Sequence, residues 1–133
     1  MARNDLQINV TLDRRALNFF QNQAPQKLKE ARRKAVEAAG VVWADEAKDI
    51  TRQGNHIDTG LYVNSIGYST GTPANPIHNL NEGSDKTTLQ TGADVAYAEA
   101  LEKRFAIFAR AVDVSESRML QVAATQVRNT LGL

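Results

Sequence analysis

The chain has 133 residues, 16 basic against 15 acidic side chains, a formal charge of +1, and no cysteine. That length suits one domain with a modest core, and the absence of thiols excludes disulfides, thiolate catalysis and cysteine-built metal sites. The even charge gives no support to a sequence-independent nucleic-acid binder, and two histidines cannot build a zinc site without carboxylate help.

Met1 leads into Arg3, Asn4 and Asp5 rather than into the apolar run of a signal peptide. No apolar stretch approaches the length of a bilayer span, so a soluble protein made in a cytoplasm is expected. Residues 6–12, LQINVTL, alternate, with Leu6, Ile8, Val10 and Leu12 on one side, which predicts a half-buried strand. Asp13 then reads as the N-cap of a short helix over 14–21, with Leu17 and Phe20 on one face. Pro25 suits the first turn of the next helix, where its missing N–H is no loss. Apolar residues recur from Leu28 through Ala35, Val36, Ala39 and Trp43 to Ala47 and Ile50. This is one helix of roughly 26 residues, well beyond the usual length. Its apolar stripe is rich in alanine, and Gly54 is placed to end it as a C′ residue.

Residues 61–69, LYVNSIGYS, read as a strand carrying Tyr62, Val63, Ile66 and Tyr68. Residues 71–86, GTPANPIHNLNEGSDK, hold two Pro, two Gly and three Asn and read as one long polar loop. TTLQTGADVAY, 87–97, alternates again, with Leu89, Thr91, Ala93, Val95 and Tyr97 on one face, and AEALEKR, 98–104, predicts a short helical turn. FAIFARAV, 105–112, fits either a strand or the start of a buried helix. Asp113 with Glu116 forms a capping box for a last helix carrying Met119, Ala123, Val127 and Leu131 and ended by Gly132. The order predicts a single α+β domain over 1–133: a small antiparallel sheet packed against one long helix and a C-terminal helix. Aromatic residues are few, so the core is thin and association with other copies is expected to add stability.

The triplet Asp58-Thr59-Gly60 matches the aspartic-protease signature. A protease dyad needs each Asp at the end of a strand in a dry core, sharing one proton with its partner. Here the triplet follows the polar stretch Gln53-Gly54-Asn55-His56 at the end of a long helix. The residues fit a turn instead: Asp58 and Thr59 cap it by side-chain hydrogen bonds and Gly60 supplies a positive φ. His56 and His78 show no metal-ligand spacing and read as exposed loop residues. With no nucleophile elbow and no phosphate loop, the sequence argues for no enzyme, no metal and no cofactor. The one basic cluster is KLKEARRK, with Lys27, Lys29, Arg32, Arg33 and Lys34 spread around a helix and Glu30 four residues before Lys34. A solvated face explains it most simply; a patch that meets nucleic-acid phosphates is the functional alternative.

Taken together, the long helix, IDTGLYVNSI (57–66), a variable segment and VAYAEALEKR (95–104) resemble the small head–tail joining proteins of long-tailed bacteriophages, variously called neck, tail-completion, tail-terminator or connector proteins. The family pattern is met by Asp58, Thr59, Gly60, Leu61, Ser65 and Ile66, and by Tyr97, Ala98 and Glu102. Where the family has Gly after that Glu and later Pro-Phe, this chain has Lys103-Arg104 and Ile107-Phe108. The resemblance implies a structural virion component assembled in the host cytoplasm: a ring, expected to be a hexamer, between the connector or stopper and the tail tube, with DNA passing through. It also implies that the 71–86 segment, through Thr72, Asn75, His78, Asn79, Asn81 and Glu82, meets a neighbouring subunit or the lumen. Asp58, Thr59 and Gly60 would then fix the helix-to-strand turn, and Tyr97, Ala98 and Glu102 would seat the second half of the sheet.

Overall fold

The computed structural model describes residues 4–54 and 60–133. Strand β1 (Asp5–Thr11) is followed by helices α1 (Arg14–Gln23), α2 (Pro25–Gln53) and α3 (Leu61–Ser65). The hairpin β2 (Pro76–Glu82) and β3 (Lys86–Ala93) comes next, then α4 (Ala98–Phe105) and α5 (Ile107–Leu131). The architecture is α+β: a three-stranded antiparallel sheet in the order β1-β3-β2, covered on one face by α2, with α5 packed along α2.

Register follows the alternation of the strands. Ile8 of β1 and Leu80 of β2 both lie opposite Leu89 of β3. Leu6, Ile8 and Val10 share the helix side with Thr87, Leu89 and Thr91, so slipping β1 by one residue would turn its apolar set to water. The other face is polar and cross-linked: Gln90 donates to Asp5, Thr88 to Asn9, and Asn79 to Gln90 at 3.3 Å. Such cross-strand pairs each contribute about 0.2–1 kcal/mol.

Helix α2 is 29 residues long and buries two stripes. Val36, Gly40 and Ala44 run at four-residue steps along the sheet, continued by Arg32 and Lys48 at either end. Ala35, Ala39, Trp43 and Ala47 turn toward α5 and its flanking turn. Gly40 permits the close helix–sheet approach, since a Cβ there would lie 2.8 Å from Leu89 Cδ2. The main core surrounds Trp43, which is fully buried, donates its indole N–H to the Phe108 carbonyl at 3.2 Å and meets the Phe108 ring edge-on. Burying an indole contributes on the order of several kcal/mol. A second, smaller cluster joins Leu28 and Ala31 to Leu131, with Leu12, Leu17, Phe20 and Val127 against it.

Four local expectations are corrected. LYVNS is a single helical turn rather than a strand: Tyr62, Val63, Ser65 and Ile66 are the buried residues, a spacing that suits a turn wrapped on one face of α2. Residues 71–86 are no continuous loop, because 76–82 form the edge strand β2 and Gly83 N–H closes the hairpin on the Lys86 carbonyl at 2.8 Å. Asp113 and Glu116 cap nothing; they lie on the exposed face inside α5, which begins six residues earlier at Ile107. Gly54 does end α2, but in right-handed conformation (φ −77°), with its N–H on the Ile50 carbonyl at 2.9 Å.

Candidate functional site

The motif-bearing residues gather at the C-terminal half of α2. Asp58, Thr59 and His56 lie outside the described residues, so the motif is first visible at Gly60. Gly60 has φ +87°, a conformation that suits glycine, and its carbonyl accepts the Asn64 N–H at 2.9 Å to close α3. Ser65 then acts as a rivet: its hydroxyl donates to the Leu61 carbonyl and accepts the Asn75 N–H at 2.7 Å, tying α3 to the start of β2. Ile66 is fully buried in the main core, and Gly67 (φ +72°) donates its N–H to the Gly92 carbonyl on β3 at 2.9 Å. A Cβ at Gly67 would lie 2.8 Å from that of Ala44, so this turn is pressed directly onto α2.

Lys48 holds the same turn from beneath. It is 1% exposed, and its ammonium donates to the Val63 carbonyl (3.0 Å), the Tyr68 carbonyl (2.8 Å) and Thr70 Oγ1 (3.0 Å), so all three N–H groups are used. The Tyr68 ring covers it at 4.4 Å, and Tyr68 O–H donates to Asp45 on the next outward turn of α2. Burial, helped by the Arg52 charge and opposed by Asp45, holds the ammonium down to about 8. The bond to Asp45, and then burial, raises the Tyr68 phenol above its usual value.

The second half of the motif meets the first across Tyr62. That ring stacks on Phe108 at 6.0 Å between centroids and lies 6.3 Å from Tyr97. Tyr62 is 2% exposed, and its phenol is pushed strongly upward by burial, with the Glu102 charge and Tyr97 adding to it. Ala98 is buried at the start of α4, whereas Tyr97 is 41% exposed. Glu102 does not seat the sheet. Its carboxylate reaches forward to accept the Phe108 N–H at 2.7 Å and the Ala109 N–H at 3.2 Å, capping the N-terminus of α5. Ala106 makes the sharp turn between the two helices in left-handed conformation, with φ 51°. Ile107 is the first residue of α5 and is fully buried.

The remaining candidates separate. Asn75 is bound to Asp94 in both directions, its carbonyl accepting the Asp94 N–H and its side-chain amide donating to the Asp94 carbonyl. Thr72 sits in the exposed bend before β2, and His78, Asn79, Asn81 and Glu82 lie exposed on β2 itself. The basic run does not form a single patch. Arg32 is 1% exposed and turns inward, donating to Thr87 Oγ1 (3.3 Å) and to the Gly83 and Ser84 carbonyls (3.1 and 3.5 Å). Arg33 meets Glu82 at 3.8 Å and Lys34 meets Glu30 at 3.0 Å, leaving Lys27 and Lys29 as exposed cations at the start of α2. Lys48 carried no signal as a lone residue, but its place was legible: 32, 36, 40, 44 and 48 fall on one face of a helix.

Among the described residues, no acidic, histidine or cysteine cluster suits a metal, and no helix is long and apolar enough to cross a membrane. Comparison with protein families, curated proteins and solved structures returns no match.

Proposed function

We propose that the chain is a structural component of a bacteriophage head–tail junction, a neck or tail-completion subunit that forms a ring on the tail tube and joins it to the connector for DNA passage. One observation carries the reading. The two motif segments, Gly60–Ile66 and Tyr97–Glu102, are separate in sequence but converge on the Tyr62–Phe108 stack and the same half of α2. The motif residues described there do mechanical work, as a positive-φ turn, a rivet, a buried anchor and a helix cap. None of them presents a reactive group to solvent in a cleft, so the reading is of a scaffold and no reaction is proposed.

The polar outer face of the sheet suits a wall past which DNA slides, and near-neutral charge avoids holding the phosphates electrostatically. Assembly in the host cytoplasm and residence in the virion follow from this reading. The nucleic-acid alternative is weakened by the inward turn of Arg32 and the ion pairs of Arg33 and Lys34. Mixing the purified protein with tail tubes, with mass measurement and electron microscopy, tests the proposal. A ring at one end of the tube is the expected outcome; a subunit that never associates with tubes or connectors would refute it. DNA affinity that falls steeply with salt and vanishes on neutralising Lys27 and Lys29 would favour the alternative.

A further inference from the structure

Among the described residues, the order β1-β3-β2 leaves two free strand edges on opposite sides of the sheet, and they differ. At the β2 side, Leu80 (37% exposed), Val41 on α2 (49%) and Tyr68 (37%) make an apolar ridge. Pro76 and the inward-facing Glu82 guard the two ends of β2, but its centre carries no Lys and faces inward with Leu80 rather than a charge. At the β1 side, α5 stands off the strand and leaves an apolar groove of about 350 Å³, walled by Ile8 and Val10 on one side and Val112, Met119 and Leu120 on the other. Glu116 lies in that groove, and Arg128 lies in its continuation beside Thr11–Asp13.

Resting on the ring reading, we propose that a second copy of this chain fills the groove: the β2 edge of one subunit pairs with the β1 edge of the next, head to tail. Both outer strands are antiparallel to β3, so subunits repeated in one orientation bring β2 beside β1 as a parallel pair. The helix-side residues of β2 then fall over the groove. With Leu80 beside Ile8, the imidazole of His78 lies toward Glu116, and Glu82, which also meets Arg33 of its own subunit, lies toward Arg128, so polar partners flank the apolar contact and one end carries opposite charges. Antiparallel pairing of β2 with β2 about a two-fold axis would leave the groove empty and stop at a dimer, whereas a head-to-tail contact closes into a ring.

The chain has no cysteine, which makes thiol cross-linking unambiguous. In this register Gln7 and Asn79, both exposed on the outer face, become neighbours. The chain carrying both Gln7→Cys and Asn79→Cys should give, on oxidation, a ladder of covalent oligomers ending in one closed species, free or on tail tubes. Either substitution alone should give no cross-link. Leu80→Glu should weaken association at least about tenfold by setting a charge against apolar walls, and Phe19→Glu, exposed elsewhere, should not. A covalent dimer from Asn79→Cys alone, or no ladder from the double variant either free or on tubes, overturns the interface. A closed cross-linked ring that never binds tubes keeps the interface and removes the neck assignment; binding without the ladder does the reverse.

Discussion

Helix α2 buries a cation near each end, and the two are held differently. Lys48, in the half that carries the main core, has three oxygen partners for three N–H groups and an aromatic cover. Arg32, beside the smaller cluster, spends two of its nitrogens on one hydroxyl and two turn carbonyls and leaves Nη1 buried with no partner. Satisfied donors fix a conformation, whereas an orphaned one is a cost that a replacement removes. Lys48 therefore pins the platform on which the motif turn is built, and Arg32 is a looser support for the β2–β3 hairpin tip; the Tyr62 hydroxyl in the Lys48 half, buried without a partner, carries a cost of the same kind as Arg32 Nη1.

That contrast can be broken by substitution. The largest effect should come from Trp43→Ala, which removes the centre of the main core and should cost about 3–5 kcal/mol in denaturant unfolding. If the cost were under about 1 kcal/mol, the platform would not rest on that half.

Lys48→Met should come next, and its effect depends on pH. The folded-state value near 8 lies below the ordinary 10.5, so between them the unfolded chain binds more protons and stability rises with pH. The Lys48 contribution to stability should therefore climb by about 2 kcal/mol from pH 8 to pH 10, partly offset near pH 10 by the raised phenols of Tyr62 and Tyr68, and Lys48→Met should lack that climb. At pH 10 the variant should be less stable by about 2–3 kcal/mol, because the Val63 and Tyr68 carbonyls lose their donor; near pH 8 the deficit should almost vanish. Urea titrations of both proteins across that window check the sign. A stability difference between wild type and Lys48→Met that shrinks as pH rises would contradict it.

Glu102→Ala should cost about 1–2 kcal/mol by uncapping α5, with amide exchange rising first at Phe108 and Ala109. The smallest effect should be that of Arg32→Met, at most about 1 kcal/mol, because the exposed turn at Ser84 can turn to water and the orphaned nitrogen is gone. Were Arg32→Met as damaging as Lys48→Met at pH 10, the two ends would be equivalent and the comparison would fail.

The two halves also differ in how far the sequence disclosed them. The alternation of Leu6, Ile8 and Val10 and the long alanine-rich stripe of α2 were legible, because each buries one regular face. β2 was not, since His78 and Glu82 on its inner side are as polar as Asn79 and Asn81 on its outer side. Only pairing with β3 makes it a strand. The start of α5 was only half legible, since 105–112 fitted a strand as well as a buried helix start: its cap is the side chain of Glu102, which belongs to the preceding helix, and its turn residue is an alanine at positive φ. Of the motif, Gly60 was legible as a positive-φ turn, and the jobs of Ser65 and Glu102 needed three-dimensional partners to be seen. The place of the two cations on the 32–48 face was legible, but their burial was not, because a Lys or Arg on a helix is normally a solvated one.

On the proposed function, this platform presents a subunit of a ring seated on a phage tail. Electron microscopy of the purified protein mixed with phage tail tubes is the decisive test. The account predicts a closed ring of identical subunits capping one end of the tube. A protein that remains a monomer and leaves both tube ends bare would contradict it.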